Sequence, residues 1–417
     1  DKHLKLSVQK HTQIGKDWQR AGVLSHAYDH YKVAFDESKL FAEEHNDVHW
    51  QTLKNLVQIC VKQNKANDAI ELLSKYVAAT QPNLHAPSLL CFASILIENQ
   101  HSNAKCVLYR LCEVYNSSTE AMVTCFLLKC AYFALTGNEL RSAINFKKAI
   151  QLCPAEDAQQ MQAAFDGFFD LHCYSIIDAI LGKFKAYFFN RTLFDIHYYI
   201  NNAKLYLSTK SFIAAMSAIN EAIKMDDECA RLWAIKGHIQ YENEQINEAK
   251  QSYQRHLELC PGTTESLLPP PTDAATTQQI IDKLAIYRLG KIYDTQREYA
   301  LSLQTYFQGI EYEPDSWLFW FEAGNALFAL KDYKQCIECF KQSNLIHNNE
   351  SHAWCMLALC HLALNETPKA IKLMHETLKF SAHEITDDDQ HHIREFGQKL
   401  IDLGYVQSGT FFKHYQL

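Results

Sequence analysis

No run of about 18 apolar residues occurs anywhere in the chain, and no basic stretch followed by an apolar one opens it. Neither a membrane-spanning helix nor a secretory signal is therefore expected. Glycine is scarce, at 13 of 417 residues, and nowhere forms a phosphate-cradling loop or the sharp turn that presents a catalytic serine. A paired zinc motif is lacking too. Positive charge is in deficit, with 40 Lys and Arg against 48 Asp and Glu, for a net charge of −8. That balance argues against a surface dedicated to nucleic acid or to anionic membranes. Hydrophobic residues make up 47%, too many for a disordered chain. The expectation is a soluble, non-enzymatic protein without cofactor or metal, whose partners are other proteins. The chain begins at Asp1 without a methionine, as a fragment of something longer would.

Cysteine is not scarce, but its 14 positions do not read as a disulfide framework. Cys60, Cys91, Cys130, Cys336, Cys339, Cys355 and Cys360 fall in helical segments, where a thiol packs as a small hydrophobe. A reducing compartment, the cytosol or one open to it, follows, and the sequons at Asn116, Asn190 and Asn365 are chance matches. Cys336-Ile337-Glu338-Cys339 has the spacing of half a zinc site, and Cys355, Cys360 and His361 stand near in sequence. Packed thiols are the expected reading. His391 and His392 are adjacent on a helix and point apart, so they do not chelate together.

What the chain has is a period. Trp320-x-x-x-Gly324-x-x-Leu327 is followed by Tyr333-x-x-Cys336-x-x-x-Phe340-x-x-Ser343. Thirty-four residues on, the same slots hold Trp354, Ala358, His361, Ala370, Met374 and Thr377. Stepping back from Gly324 by the same interval gives Gly290, with Leu289, Tyr293, Tyr299, Tyr306, Gly309 and Pro314 in register. Small residues that let backbones approach, alternating with large ones that fill the gap, describe two antiparallel helices per unit.

Earlier units follow with drift. Residues 1–154 read as irregular helical pairs; Gly15-Lys16-Asp17-Trp18 resembles the turn and second helix of a unit cut near its start. Pro82 and Pro154 end two of these units. Residues 155–195 break the register and are rich in aromatics, including Phe165, Phe168, Phe169, Tyr174 and Phe184. A helical joint that buries its rings is expected there; an exposed docking patch is the alternative. Units resume over 196–379 with Tyr199, Ala203, Phe212 and Ala215, then Trp233, Gly237, Ala249 and Tyr253. From Gly237 to Gly290 the step is 53, and an insertion at 262–279, containing Pro269-Pro270-Pro271, accounts for the excess. It reads as a surface loop, or alternatively as a polyproline segment that a partner recognises. Residues 380–417 are read as a capping helix beginning at Asp387, with Gln390, His391, His392, Arg394 and Glu395 on its polar face, and a tail after Gly404.

The period and residue types resemble the tetratricopeptide repeat (TPR) over nearly the whole chain. That resemblance implies an all-α solenoid of about eight or nine helix pairs with an irregular central joint, wound into a right-handed superhelix. Some TPR proteins grip acidic chaperone tails through a two-carboxylate clamp of Lys, Asn and Arg. Here Asn325 occupies one clamp slot, but Phe321, Tyr287 and Ala234 stand at lysine slots and Met356 at the next asparagine slot, so the clamp is missing. Three stretches resemble the C-terminal TPR region of the cilia- and flagella-associated protein 70 family. They are Phe319-Trp320-x-x-x-Gly324-x-Ala326, the run from Ser343 to Leu359 through Asn348-Asn349-Glu350 and Trp354, and Leu403-Gly404-Tyr405. This second resemblance implies a structural component of the ciliary or flagellar axoneme, held in a larger complex.

The function expected is a scaffold whose groove, lined by first helices, holds an extended or helical segment of another protein. Groove candidates lie one and five places after the leading aromatic slot: Ile200, Lys204, His238, Tyr287, Lys291, Phe321 and Asn325. Each is equally placed to pack between repeats. The alternative is a soluble cytoplasmic adaptor or regulatory subunit that recruits an enzyme, for example in ubiquitin transfer or trafficking.

Overall fold

The computed structural model describes residues 2–41, 46–79, 86–114, 119–153, 159–188, 192–260, 282–348 and 351–380, with Arg394, Gly397 and Gln398. Pro82, Pro154, the 262–279 insertion, and all but those three residues of the expected cap and tail lie outside that set. Among the described residues, apart from one short 3-10 turn, every regular element is an α-helix. The chain divides into two compact units: Asp1–Val8 with Leu24–Asp282, and Gln9–Val23 with Lys283–Leu417.

Unit 1 is built of helical pairs. They are α2 (Leu24–Ser38) with α3 (Asn46–Lys62) and α4 (Ala66–Ala79), then α5 (Ala86–Glu98) with α6 (Ala104–Val114). Next come α7 (Thr119–Leu135) with α8 (Glu139–Leu152), and α9 (Gln159–Asp170) with α10 (Tyr174–Phe188). The last two pairs are α11 (Thr192–Ser208) with α12 (Phe212–Met225), and α13 (Ala230–Glu242) with α14 (Ile246–Leu259). The aromatic stretch is thus itself a hairpin, α9–α10, with Phe165 and Phe168 buried. Glu98 of α5 fixes its second helix by accepting hydrogen bonds from the backbone N–H groups of Ser175 and Ile176 at 3.0 and 3.2 Å. Those are free donors at a helix start, where the dipole favours a carboxylate.

Unit 2 holds α15 (Lys283–Thr295) with α16 (Tyr299–Tyr312), α17 (Trp317–Ala329) with α18 (Tyr333–Ile346), and α19 (Ser351–Ala363) with α20 (Thr367–Phe380).

Three glycines explain how closely paired helices sit. A Cβ on Gly237 would meet the Tyr253 ring at 2.5 Å, one on Gly290 the Tyr306 ring at 2.3 Å, and one on Gly324 the Phe340 ring at 2.7 Å. In each case the ring lies sixteen residues on, in the partner helix, and is fully buried. The large residue that fills the gap is therefore this ring. The leading tryptophans do another job. Trp233, Trp320 and Trp354 are only partly buried, and each indole N–H donates to the carbonyl six residues earlier, at Asp227, Pro314 and Asn348 (2.8, 2.9 and 2.8 Å). Each one ties the incoming loop to the start of its helix.

The hairpins turn without glycine for the most part. Lys210, Glu244, Arg297, Lys331 and Asn365 take left-handed φ between 56° and 63° just after a first helix. The next residue's N–H then bonds the carbonyl five positions back, as from Ser211 to Tyr206, Gln245 to Gln240 and Glu298 to Tyr293. This closure satisfies the last carbonyls and stops the helix. His172 turns α9 into α10 in the same way.

Helix α1 (Lys2–Ala21) corrects the reading of Gly15-Lys16 as a turn: the helix runs unbroken through them, and the chain turns at Gly22 (φ 87°). From Gln9 onward α1 belongs to unit 2. Asp17 Oδ1 accepts hydrogen bonds from Arg20 Nη1 at 2.9 Å and from Ser316 Oγ at 2.8 Å. Arg20 Nη2 reaches Glu313 at 2.8 Å, and Lys283 holds the other oxygen of Glu313 at 2.9 Å. The Trp18 and Trp317 rings lie 4.8 Å apart, with His347 against both, and Arg20 sits 5.2 Å over Phe319. Desolvation pushes the fully buried Asp17 carboxyl up to about 7, against the lowering pull of Arg20 and Ser316. For Glu313 burial works upward too, but Arg20 and Lys283 outweigh it and hold the carboxyl below its usual value.

Candidate partner-binding surface

The seven residues singled out from the sequence separate by position. Those five places after the leading slot (Lys204, His238, Lys291 and Asn325) are all partly exposed. One place after it, Tyr287 is partly exposed, whereas Ile200 and Phe321 keep only 3% and 8% of their surface. Ile200 packs with Ala203, Ile219, Leu232 and Ile235 in a core between successive pairs. The Phe321 ring lies 5.6 Å from Phe340 and 5.1 Å from His352. These two side chains are packing residues.

In unit 2 the structure brings Tyr287, Lys291 and Asn325 together around a carboxylate that the sequence pattern did not single out. Glu322, 4% exposed, takes Lys291 Nζ at 2.7 Å and Asn325 Nδ2 at 3.3 Å. Lys291 Nζ also stands 5.9 Å over the Tyr287 ring. Further along α15, the partly exposed Asp294 accepts from Ser302 Oγ at 2.5 Å and Tyr306 Oη at 2.8 Å. Burial raises its carboxyl although both hydroxyls oppose the shift.

In unit 1 Lys204 bonds Asp166 at 2.8 Å, and Arg231 reaches the same carboxylate at 2.9 and 3.0 Å. Desolvation raises the Asp166 pKa, but Lys204 and Arg231 prevail and hold it below the usual carboxylate range. Beside this pair, Gln162 and Asn201 exchange reciprocal amide hydrogen bonds of 3.2 Å, which lock α9 to α11. His238 is placed differently. Its Nδ1 lies 2.8 Å from Tyr253 Oη and its Nε2 3.1 Å from Asp282. His256 Nδ1 is 2.9 Å from the Ala230 carbonyl and its Nε2 accepts from the backbone N–H of Asp282 at 3.1 Å, so the two histidines anchor the chain where it re-enters after the insertion. Asp166, Arg231 and Glu322 lay outside the one-and-five spacing rule. Their only sequence signal was charge on a first helix beside an otherwise apolar slot.

Cys336, Cys339, Cys355 and Cys360 are buried free thiols. Cys336 Sγ lies 3.0 Å from Cys360 Sγ, and that contact together with burial pushes its pKa far up. Burial pushes Cys339 up to about 11. Among the described residues no group of three or more His, Cys, Asp and Glu is placed to hold a metal, and no helix is long and apolar enough to cross a membrane.

Helical hairpins repeating at 34 residues, interlocked by a small residue against a ring sixteen places on, make this chain a TPR-type repeat protein with an all-α solenoid fold. Within that class it resembles one ciliary protein. The family described as cilia and flagella-associated protein 70 C-terminal domain matches residues 183–386. Human cilia- and flagella-associated protein 70 is 27% identical over 180 residues, or 42% of this chain. The matched stretch spans 14% of the length of that relative. Solved structures with some likeness include MamA, at 15% identity and a TM-score of 0.38, covering 46% of this chain and 97% of that one. YrrB, described as a TPR protein with an unusual peptide-binding site, is 16% identical with a TM-score of 0.38, over 45% of this chain and 87% of its own.

Proposed function

We propose that this chain is a non-enzymatic scaffold of the ciliary or flagellar axoneme, which holds segments of partner proteins along its first helices. The observation that carries this is the match of residues 183–386 to the C-terminal domain of cilia- and flagella-associated protein 70. Support comes from the half-exposed polar side chains on the first helices: Lys204 and Arg231 in unit 1, and Tyr287, Lys291 and Asn325 in unit 2. They sit on rigid elements whose apolar faces are already spent on packing, which suits them to contact another chain.

The test is the position of a tagged copy in ciliated cells before and after detergent extraction. Retention on the demembranated axoneme is the expected result. A diffuse and fully extractable signal overturns the axonemal role and favours the soluble adaptor instead.

A further inference from the structure

Unit 1 carries a charge cluster that its own packing leaves unbalanced. Asp166 of α9 is held by Lys204 of α11 and Arg231 of α13. One turn along α9, Asp170 lies 3.9 Å from Lys54 Nζ of α3. Lys62, two turns further along α3, also acts on Asp170. The leading charges acting on Asp166, Asp170, Lys62 and Lys204 come from within this set. Among the described residues, four cations thus face two carboxylates in this cluster. Burial depresses both Lys62 and Lys204, against the opposing pull of Asp170 on both and of Asp166 on Lys204. The cluster is also open to solvent: the side chains of Arg231, Lys54 and Lys204 keep 41%, 32% and 24% of their surface.

The geometry divides the surplus into two places. One lies at Lys204 and Arg231, the other at Lys54 and Lys62. The two anchoring aspartates are four helical residues apart, which is about 6 Å along α9. Alternate side chains of an extended peptide are spaced about 6.6 Å apart. A single small anion spans one place only; an extended segment with acidic residues at alternate positions spans both.

We propose that this cluster binds an acidic peptide segment of a partner protein, whose carboxylates engage Arg231, Lys204, Lys54 and Lys62 in competition with Asp166. The proposal rests on the protein-interaction reading above and adds to it a site and a ligand class. Because Asp166 is the internal competitor, removing its charge strengthens binding, whereas removing a cation weakens it. A merely structural ion pair predicts no such opposite signs.

The experiment is fluorescence anisotropy of the full 417-residue chain with fluorescein-labelled hexaglutamate, and with labelled hexalysine as control. Hexaglutamate binds and hexalysine does not; raising salt weakens the complex. Arg231→Gln and Lys54→Gln each raise Kd, Arg231→Gln by about tenfold, as expected for a lost charge-assisted bidentate contact. Asp166→Asn lowers Kd several-fold. Circular dichroism melts of each variant separate a lost site from a lost fold, and the change at the partly exposed Lys54 supplies the test should Asp166→Asn not fold. Absence of hexaglutamate binding, or equal binding by parent, Arg231→Gln and Lys54→Gln, overturns the proposal. So does displacement by inorganic phosphate at concentrations matched in charge, which identifies a simple anion site. Any of those failures leaves the axonemal reading intact, since that is judged by extraction.

Discussion

Raising the pH from about 5 to about 8 is predicted to loosen the hold of helix α1 on unit 2. The group responsible is Asp17. Its carboxyl has an ordinary value of 3.8 and is pushed up to about 7, because burial disfavours the charged form more than Arg20 and the hydrogen bonds to the carboxylate favour it. Between those two values the folded state binds a proton that the unfolded chain does not. The contribution of Asp17 is therefore complete below the unfolded value and is lost as pH rises through about 7. At about 1.4 kcal/mol per pH unit the whole range is worth about 4 kcal/mol, of which about 3 kcal/mol falls between pH 5 and 8. The surrounding charges are Arg20, Glu313 and Lys283; Glu313 is held low and loses its contribution only in more acid solution. Unit 1 behaves oppositely. Desolvation, aided by Lys39, lowers His49 from 6.5 to about 4, so its contribution is full above 6.5 and lost as pH falls toward 4. Hydrogen exchange by mass spectrometry, corrected for intrinsic rates, reads the two separately. Peptides from 9–23 gain protection toward pH 5, while peptides from α2 to α4 lose it. Asp17→Asn, which keeps the shape and removes the charge, abolishes the trend in 9–23. An unchanged trend in that variant, or protection of 9–23 that grows toward pH 8, refutes the reasoning.

Two changes probe the interlock between paired helices. Gly324→Ala drives a Cβ into the buried Phe340 ring and is expected to cost about 1–3 kcal/mol in chemical denaturation. Gly182→Ala, on α10 with nothing within 4 Å, is expected to stabilise by about 0.5–1 kcal/mol; equal effects at both sites contradict the packing account. Tyr306→Phe leaves the partly exposed Asp294 without one of its two hydroxyl donors and is expected to cost about 0.5–1.5 kcal/mol, measured by the same denaturation; a neutral result removes that hydrogen bond from the core's support.

The hairpins were legible because two helices packed at a fixed register need a small residue opposite a large one, and that need repeats in the sequence. Gly237 with Tyr253, Gly290 with Tyr306, and Gly324 with Phe340 carry it. What the period did not reveal was which large residue does the filling. Trp320 and Trp354 mark the repeat most visibly, yet they serve as ties to the preceding loop, and only the carbonyl at the right distance discloses that. The turn misplaced at Gly15 has a similar cause. Gly-x-x-Trp matched the second-helix pattern, but Asp17, Trp18 and Arg20 owe their character to Glu313, Ser316 and Trp317, nearly three hundred residues away.

The surface was less legible, because spacing along one helix reports direction and not neighbours. The fifth position after the leading slot is partly exposed at Lys204, His238, Lys291 and Asn325, whereas the apolar Leu359, five places after Trp354, is buried. The first position packs against the next pair where the residue is apolar, as Ile200 and Phe321 do, and stays partly open at Tyr287. Charge partners come from other helices, so Asp166, Arg231 and Glu322 could not be found by a rule that walks one helix at a time. Arg231 stands two places before its leading tryptophan and Glu322 two places after, yet Glu322 becomes the counter-charge of Lys291, and Arg231 shares the carboxylate that holds Lys204. The stacking of neighbouring pairs and the residue type thus decide both whether a position is exposed and what it can bind.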